Sequence, residues 1–262
     1  LHYPLRRQRQ MCIRDSGVCH LGVIPLRKEN DHKSELTSQL LYGDSFKIID
    51  QRKDWYKIRL DWDKYEGWIT QNQAIIIEEK EHKLLHEQPF SASKHLIDFV
   101  HLANEQIFPI PLGSDLRALS LLGHSIEYTP TILSSKKEAI VQTAYQFLHA
   151  PYLWGGKTPM GIDCSGLTQM VYKIHGVPLK RDAYQQAQQG TSLSFIEESQ
   201  PGDLAFFDNK EGDITHVGIL LQNHFILHAH GKVRIDRIDQ TGIFNAELQT
   251  HSHKLRLIKS IL

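Results

Sequence analysis

Cys164 stands in Gly161-Ile162-Asp163-Cys164-Ser165-Gly166-Leu167, and His216 and His228 follow in two short apolar runs. A thiol with two spaced imidazoles is the minimum equipment of a cysteine hydrolase: one group attacks, one moves the proton, one orients the base. The chain has three cysteines, and the other two, Cys12 and Cys19, lie near its start. A lone cysteine before a helix is commonly a small buried hydrophobe, and a chain with 16 histidines places some on strands by chance. Catalysis is argued by the combination, with glycines flanking the thiol and both imidazoles in adjacent strand-like runs. Zinc is the competing chemistry, but Cys164 has no partner thiol at Cys-x-x-Cys spacing and no His-Glu-x-x-His occurs. No metal and no cofactor is expected.

The elements that position these groups follow from spacing. Leu167, Met170, Val171 and Ile174 recur at i, i+3, i+4 and i+7, which predicts an amphipathic helix closing near Gly176 and Pro178. Cys164 then lies in or just before the first turn, where unpaired N–H groups and the helix dipole should lower the thiol pKa from ~8.5 and can later face an oxyanion. His216 to Leu221 and Phe225 to Ala229 flank Gln222-Asn223-His224, which predicts a hairpin. Pairing about position 222 would set His216 opposite His228 on one face, with Cβ atoms roughly 5 Å apart.

The remaining chain divides by composition. Residues 17–80 hold short alternating runs punctuated by turns, among them Phe46-Lys47-Ile48-Ile49, Trp55 to Leu60 and Gly67-Trp68-Ile69, and predict a small β-barrel. Residues 81–135 are turn-rich with short strand-like pieces. Residues 136–262 form the unit carrying the thiol; its opening stretch, 136 to 149, is helical in pattern, with Ser134 or Ser135 as cap. Residues 1–16 read as foreign, because Met11-Cys12-Ile13-Arg14-Asp15-Ser16 is what a common sequencing adapter encodes in one frame, and they are set aside from fold reasoning. The formal net charge of zero implies no nucleic acid or other polyanion as partner, and no run of 18 apolar residues predicts a membrane span.

Five ordered motifs carry a resemblance. Tyr152-Leu153-Trp154-Gly155-Gly156, Asp163-Cys164-Ser165-Gly166, Arg181-Asp182-Ala183-Tyr184-Gln185-Gln186, Pro201-Gly202-Asp203-Leu204-Ala205-Phe206-Phe207 and His216-Val217-Gly218-Ile219 resemble the NlpC/p60 cysteine peptidases of bacterial cell-wall metabolism. The resemblance implies an α+β, papain-like fold over 136–262, with Cys164 as nucleophile, His216 as base and His228 orienting it. It implies hydrolysis of the bond after D-glutamate in murein peptides. The oxyanion would be held by the Cys164 N–H and the Tyr152 hydroxyl. Asp163 and Ser165 would bind the substrate's amine or backbone, although Asp163 reads equally as a helix N-cap. Trp154 would stack on substrate or fill core. Arg181 and Asp182 would shape the pocket or form a surface ion pair.

Upstream, Arg27, Ser34-Glu35-Leu36, Leu41-Tyr42-Gly43-Asp44, Trp55 and Tyr65-Glu66-Gly67-Trp68 resemble a bacterial SH3-like domain, most like the first such domain of the family's dipeptidyl-peptidase subgroup. That likeness implies that the barrel leans over the cleft and that Glu35 and Tyr65 bind the free N-terminal L-alanine of the substrate. A carboxylate awaiting an ammonium rejects N-blocked peptides that leave it unpaired. For 81–135 the resemblance offers a second, degenerate SH3-like domain or a linker. A monomer acting on imported murein peptides in the cytoplasm is expected, with periplasmic or extracellular action as the other location. An amidase or acyltransferase on the same fold, and a non-catalytic wall-binding protein, are the other functional readings.

Overall fold

The computed structural model describes residues 15–262. The stretch read as foreign, with Cys12, therefore lies outside the described residues except for Asp15 and Ser16, and Ser16 begins the first strand. Seven strands form one antiparallel sheet: β1 (Ser16–Val18), β2 (Val23–Arg27), β3 (Leu36–Leu41), β4 (Ser45–Arg52), β5 (Trp55–Leu60), β6 (Glu66–Thr70) and β7 (Ile75–Ile77). They run in the order β3-β2-β6-β5-β4-β1-β7 and curl into an SH3-like barrel. Their period-2 alternation sends Ile24, Leu26, Leu40, Phe46, Ile48, Ile58, Leu60 and Ile69 into one interior.

Between barrel and catalytic unit lie α1 (Glu79–Glu87), β8 (Ile97–His101), β9 (Ile107–Pro111) and α2 (Ala118–Leu122). β8 and β9 are the strands that pair in this stretch, and isolated bridges join Ala92 to Asp115 and His101 to Ser125. The Leu112 N–H donates to the Leu96 carbonyl at 3.1 Å, so alternate residues 108, 110 and 112 face β8. Pro109 and Pro111 then remove the donors of the outer edge, and no third strand can add there. Residues 81–135 hold this hairpin, most of α1 and all of α2.

The last unit contains α3 (Lys137–Gln146), β10 (Lys157–Thr158), β11 (Gly161–Ile162), α4 (Cys164–Ile174), α5 (Ala183–Gln186) and β12 (Thr191–Leu193). The strands β13 (Leu204–Asp208), β14 (Ile214–Leu220), β15 (Phe225–His230), β16 (Lys232–Ile238), β17 (Gly242–Asn245) and β18 (Thr250–Ser260) complete it. The sheet order is β12-β18-β13-β14-β15-β16-β17, and β17 pairs again with β18. Helices α3 and α4 cover one face, where Ile140, Phe147, Leu167, Met170 and Val171 meet Phe206, Val217, Ile219 and Leu227. The other face carries a second cluster of Ala205, Phe207, Leu220, Ile226 and Ile243. The N-cap of α3 is Lys136 rather than Ser134 or Ser135; the Ser134 hydroxyl accepts from the Lys136 N–H at 3.3 Å.

Every residue of α4 is buried, because the barrel packs against the helix as well as the sheet. The buried Lys173 ammonium of α4 pairs with Asp44 at 2.5 Å, Gln169 donates to Asp63 at 2.8 Å, and Arg181 donates through Nε to Ser38 at 3.1 Å. The Lys157 N–H meets the Gln39 side chain at 2.7 Å. Buried charges of this kind must stay paired, so they fix the barrel in one orientation over the thiol.

Candidate active site

Cys164 is the first residue of α4, and Asp163 is its N-cap. The Asp163 carboxylate accepts from the Gly166 N–H at 2.7 Å and the Gly155 N–H at 2.8 Å. Its remaining acceptor sites take a bidentate guanidinium, with Arg181 Nη1 at 3.0 Å and Nη2 at 2.6 Å. Arg181 is 1% exposed and also donates to the Ser165 hydroxyl at 2.9 Å. The surface ion pair between Arg181 and Asp182 is therefore not what forms; Arg181 is interior and pairs with Asp163. Asp163 and Ser165 border the cleft, but their polar atoms are already satisfied by this network. They hold the nucleophile's turn, and an arriving amine would have to compete with a buried guanidinium for Asp163. Gly155, at φ +78°, lets the Trp154 to Gly156 loop run against the barrel: a Cβ there would lie 2.4 Å from the Leu36 carbonyl oxygen.

His216 on β14 and His228 on β15 do share a face, but not the predicted register. Gly218 opposes His228 and Leu220 opposes Ile226, so the hairpin is centred one residue later than position 222. The cause is the turn, where Asn223 and His224 both adopt left-handed φ of 57° and 58°. His216 is thus diagonal to His228, and the rings still meet, Nε2 to Nδ1 at 2.8 Å and nearly perpendicular. Gly218 leaves the space this needs, since a Cβ there would approach the His228 Cβ to 2.9 Å.

Two side chains extend the array. Asp236 of β16 accepts from His228 Nε2 at 2.9 Å and is itself held by Arg234 through bonds of 2.6 and 2.9 Å. His253 of β18 stacks on His216 with ring centroids 4.1 Å apart. The sequence reading missed both. For Asp236 a signal existed: Gly231 divides two strand-like runs, and a hairpin there sets Arg234 opposite His228 and Asp236 on the diagonal. His253 arrives from a distant strand and had no local signal.

The electrostatics correct a second expectation. Burial, and then the Asp163 charge, push the Cys164 thiol up to about 12, although the Val217 and Ser165 N–H groups act the other way. Burial also lowers His216 well below the usual imidazole range, aided by His228, His253 and His230. The resting pair is a neutral thiol and a neutral imidazole, not a thiolate and imidazolium, because desolvation outweighs the helix dipole. Cys164 Sγ lies 4.0 Å from the carbonyl of Thr215, the residue before His216. Burial and the charges of Cys164 and Asp163 raise the Tyr152 phenol to about 12, so its hydroxyl remains a donor.

A cavity of about 600 Å³ opens over Cys164. Its walls bring together Asp163, Ser165, Trp154 and Asp182 of the catalytic unit with Glu35 and Tyr65 of the barrel. Glu35 accepts from the Trp154 indole N–H at 2.8 Å and pairs with Lys28 at 3.2 Å. The Tyr65 hydroxyl reaches Asp182 at 3.4 Å. Trp154 is 59% exposed, so it presents a ring to the cavity rather than filling core.

A cysteine at the start of a helix, its sulfur 4.0 Å from the carbonyl of the residue before His216, together with linked imidazoles on an antiparallel sheet, fits a papain-like cysteine hydrolase. Residues 149–251 match the NlpC/P60 family and residues 26–73 match the bacterial dipeptidyl-peptidase SH3 domain; the chain carries an NlpC/P60 domain with that SH3 domain ahead of it. It is 28% identical over 260 residues to dipeptidyl-peptidase 6 of Lysinibacillus sphaericus, covering 86% of this chain and 93% of that one. It is 24% identical over 228 residues to the gamma-D-glutamyl-L-lysine dipeptidyl-peptidase of Bacillus cereus, covering 75% and 68%. The crystal structure of an NlpC/P60 family protein from Bacillus cereus superposes with a TM-score of 0.80 at 18% identity, over 94% of this chain and 99% of that one, and shows the shared fold.

Proposed function

We propose that the chain is a cysteine peptidase that hydrolyses the bond between γ-D-glutamate and the diamino acid in murein peptides bearing a free N-terminal L-alanine. The observation that carries this reading is the single cavity in which Cys164 forms one wall and Glu35 and Tyr65 of the barrel form another. The gamma-D-glutamyl-L-lysine dipeptidyl-peptidase of Bacillus cereus, which aligns with 75% of this chain, supports the same substrate class by its name.

The neutral resting pair sets the order of events. His216 takes the thiol proton as the sulfur attacks the γ-glutamyl carbonyl carbon, so charge separates only in the transition state. The oxyanion meets the Cys164 N–H, which as a first-turn group has no intrahelical acceptor, and the Tyr152 hydroxyl. The imidazolium formed on His216 is stabilised through His228 and the Asp236 carboxylate, which hydrogen bonds from His228 and Arg234 hold down at about 2 against the effect of burial. His216 then protonates the leaving amine, the C–N bond breaks, and water deprotonated by the same imidazole cleaves the thioester.

At the far wall the ammonium of L-alanine would meet Glu35, Asp182 and Tyr65. Burial and then Asp163 raise the Asp182 carboxyl, opposed by Arg181, and a bound ammonium would reverse that rise. Mass spectrometry of an L-Ala-γ-D-Glu-diamino acid tripeptide digest tests the reaction. Release of L-Ala-D-Glu by the wild type and none by Cys164→Ala is expected; an intact tripeptide with both proteins overturns the reading. Cys19 and Cys164 are both free thiols, which suits a reducing compartment, and we place the activity on imported peptides in the cytoplasm. Recovery of the native protein in a periplasmic or extracellular fraction would contradict that placement.

A further inference from the structure

Far from the thiol in function, a second group of ligand-type side chains meets where α1 leaves the barrel. His82 and His86 lie four residues apart on α1 and so project from one helix face. Both direct Nε2 at the same oxygen, Asp61 Oδ2, at 2.7 and 3.4 Å. The Ser45 hydroxyl joins them, 2.7 Å from that oxygen and 3.1 Å from His86 Nε2. Asp61 and Ser45 are fixed to each other through their backbones as well, with the Asp61 N–H donating to the Ser45 carbonyl at 3.0 Å. The three histidine and aspartate ligand atoms all fall within 4.8 Å of one another.

We propose that His82, His86 and Asp61, with Ser45 or a water as fourth donor, form a structural zinc site that clamps α1 to the barrel. Two imidazoles and a carboxylate are a zinc donor set, and tetrahedral bonds near 2.0–2.1 Å place ligand atoms about 3.3 Å apart. The two imidazole nitrogens lie 2.7 and 3.4 Å from Asp61 Oδ2, and all three ligand atoms lie within 4.8 Å of one another, so small movements of the side chains reach that geometry. Each imidazole offers Nε2 once its proton sits on Nδ1, and the cation replaces the hydrogen bonds now shared at Asp61 Oδ2. The site is reachable, because the His86 side chain is 37% exposed while His82 and Asp61 are 14% and 12% exposed.

The helix has use for such a clamp. It is nine residues long, too short to hold its shape by propensity, and Leu85 is its one buried residue. Leu84 on the neighbouring face is 50% exposed. The contact of α1 with the fold is therefore that leucine, packed near Val18, Ile77 and Ala118, plus the two histidines.

The test is calorimetric titration of zinc chloride into chelator-stripped, full-length Cys164→Ala protein, which removes the cleft thiol as a competing ligand. One zinc per chain is expected, weakened on the order of 100-fold by His86→Gln and left unchanged by His253→Phe, which alters the separate histidine group of the cleft. Zinc should also raise the melting temperature of the parent and not of His86→Gln. If His86→Gln fails to fold, X-ray absorption of the zinc-loaded parent decides, with two imidazoles expected in the first coordination sphere. No binding, binding indifferent to His86→Gln, or a coordination sphere without two imidazoles overturns the proposal.

Discussion

His228 Nε2 lies 2.9 Å from Asp236 Oδ2, and the same imidazole contacts His216 through its other nitrogen. His216, the proposed base, thus contacts a histidine that is itself anchored to a carboxylate, and the anchor fixes the tautomer: with Nε2–H donated to Asp236, Nδ1 of His228 is left to accept from His216. Burial lowers His228 and Asp236 raises it, so removal of the carboxylate withdraws the group that stabilises positive charge along the chain. Asp236→Asn should lower kcat by about tenfold or more with little change in KM, and His228→Ala by on the order of 100-fold. Steady-state kinetics on the free tripeptide separate the two parameters, and a pure KM effect would assign Asp236 to substrate binding instead.

Arg181 and Asp163 form a buried bidentate pair that also supports Ser165 and, through Asp163, the Gly155 and Gly166 amides. Removing one partner leaves a charge without its counterion in the interior, which costs about 3–5 kcal/mol. Arg181→Met should therefore destabilise the protein strongly, read as a fall in the midpoint of urea unfolding. A change below about 1 kcal/mol would show that the pair is dispensable.

The cleft histidines couple stability to pH. Burial lowers His216 well below its ordinary value, lowers His228, and lowers His253 from 6.5 to about 4. The unfolded chain therefore takes up protons first as pH falls through about 6.5, and the stability present above that value is lost on further acidification toward the folded pKa values. Each histidine contributes at most about 1.4 kcal/mol per pH unit. The melting temperature should fall between pH 7 and pH 5, and His253→Phe should make that fall shallower. Activity should persist below pH 6.5, because His216 remains an unprotonated base there; a kcat/KM acid limb centred at or above 6.5 would contradict this assignment.

Glu35 and Tyr65 reach the cleft only because the barrel is locked to α4 through Asp44–Lys173 and Asp63–Gln169. Glu35→Gln and Tyr65→Phe should raise KM for free-amine peptides, with kcat less affected. The Glu35 contact to Trp154 is lost or weakened in the first variant, so its effect should exceed that of Tyr65→Phe. Equal KM for wild type and Glu35→Gln would remove the barrel from recognition.

The elements that carry Cys164, His216 and His228 were legible because each sits in a short run whose periodicity names its element: α4 from its i, i+3, i+4 and i+7 apolar residues, β14 and β15 from the turn between them. The register was read one residue off because two consecutive left-handed residues at Asn223 and His224 are invisible to symmetric pairing. Arg181 does line the cavity, and only its surface ion-pair alternative fails, for a more general reason: charged residues default to solvent, and a partner such as Asp163, 18 positions away, is a property of the fold. The thiol's state depended on burial, which a helix-start argument does not contain. The alternation of Pro109 and Pro111 along β9 was present in the sequence but acquires meaning only once β8 is known to lie on the other edge.

The central claim joins a reactive Cys164 to a barrel that reads the substrate's free amine. Mass spectrometry of wild-type digests of the free and N-acetylated L-Ala-γ-D-Glu-diamino acid tripeptide tests both parts at once. L-Ala-D-Glu released from the free peptide, with the acetylated peptide intact or cleaved at least 100-fold more slowly, is the result predicted. Equal cleavage of the two peptides would contradict recognition of the amine, and no cleavage of either would contradict the peptidase itself.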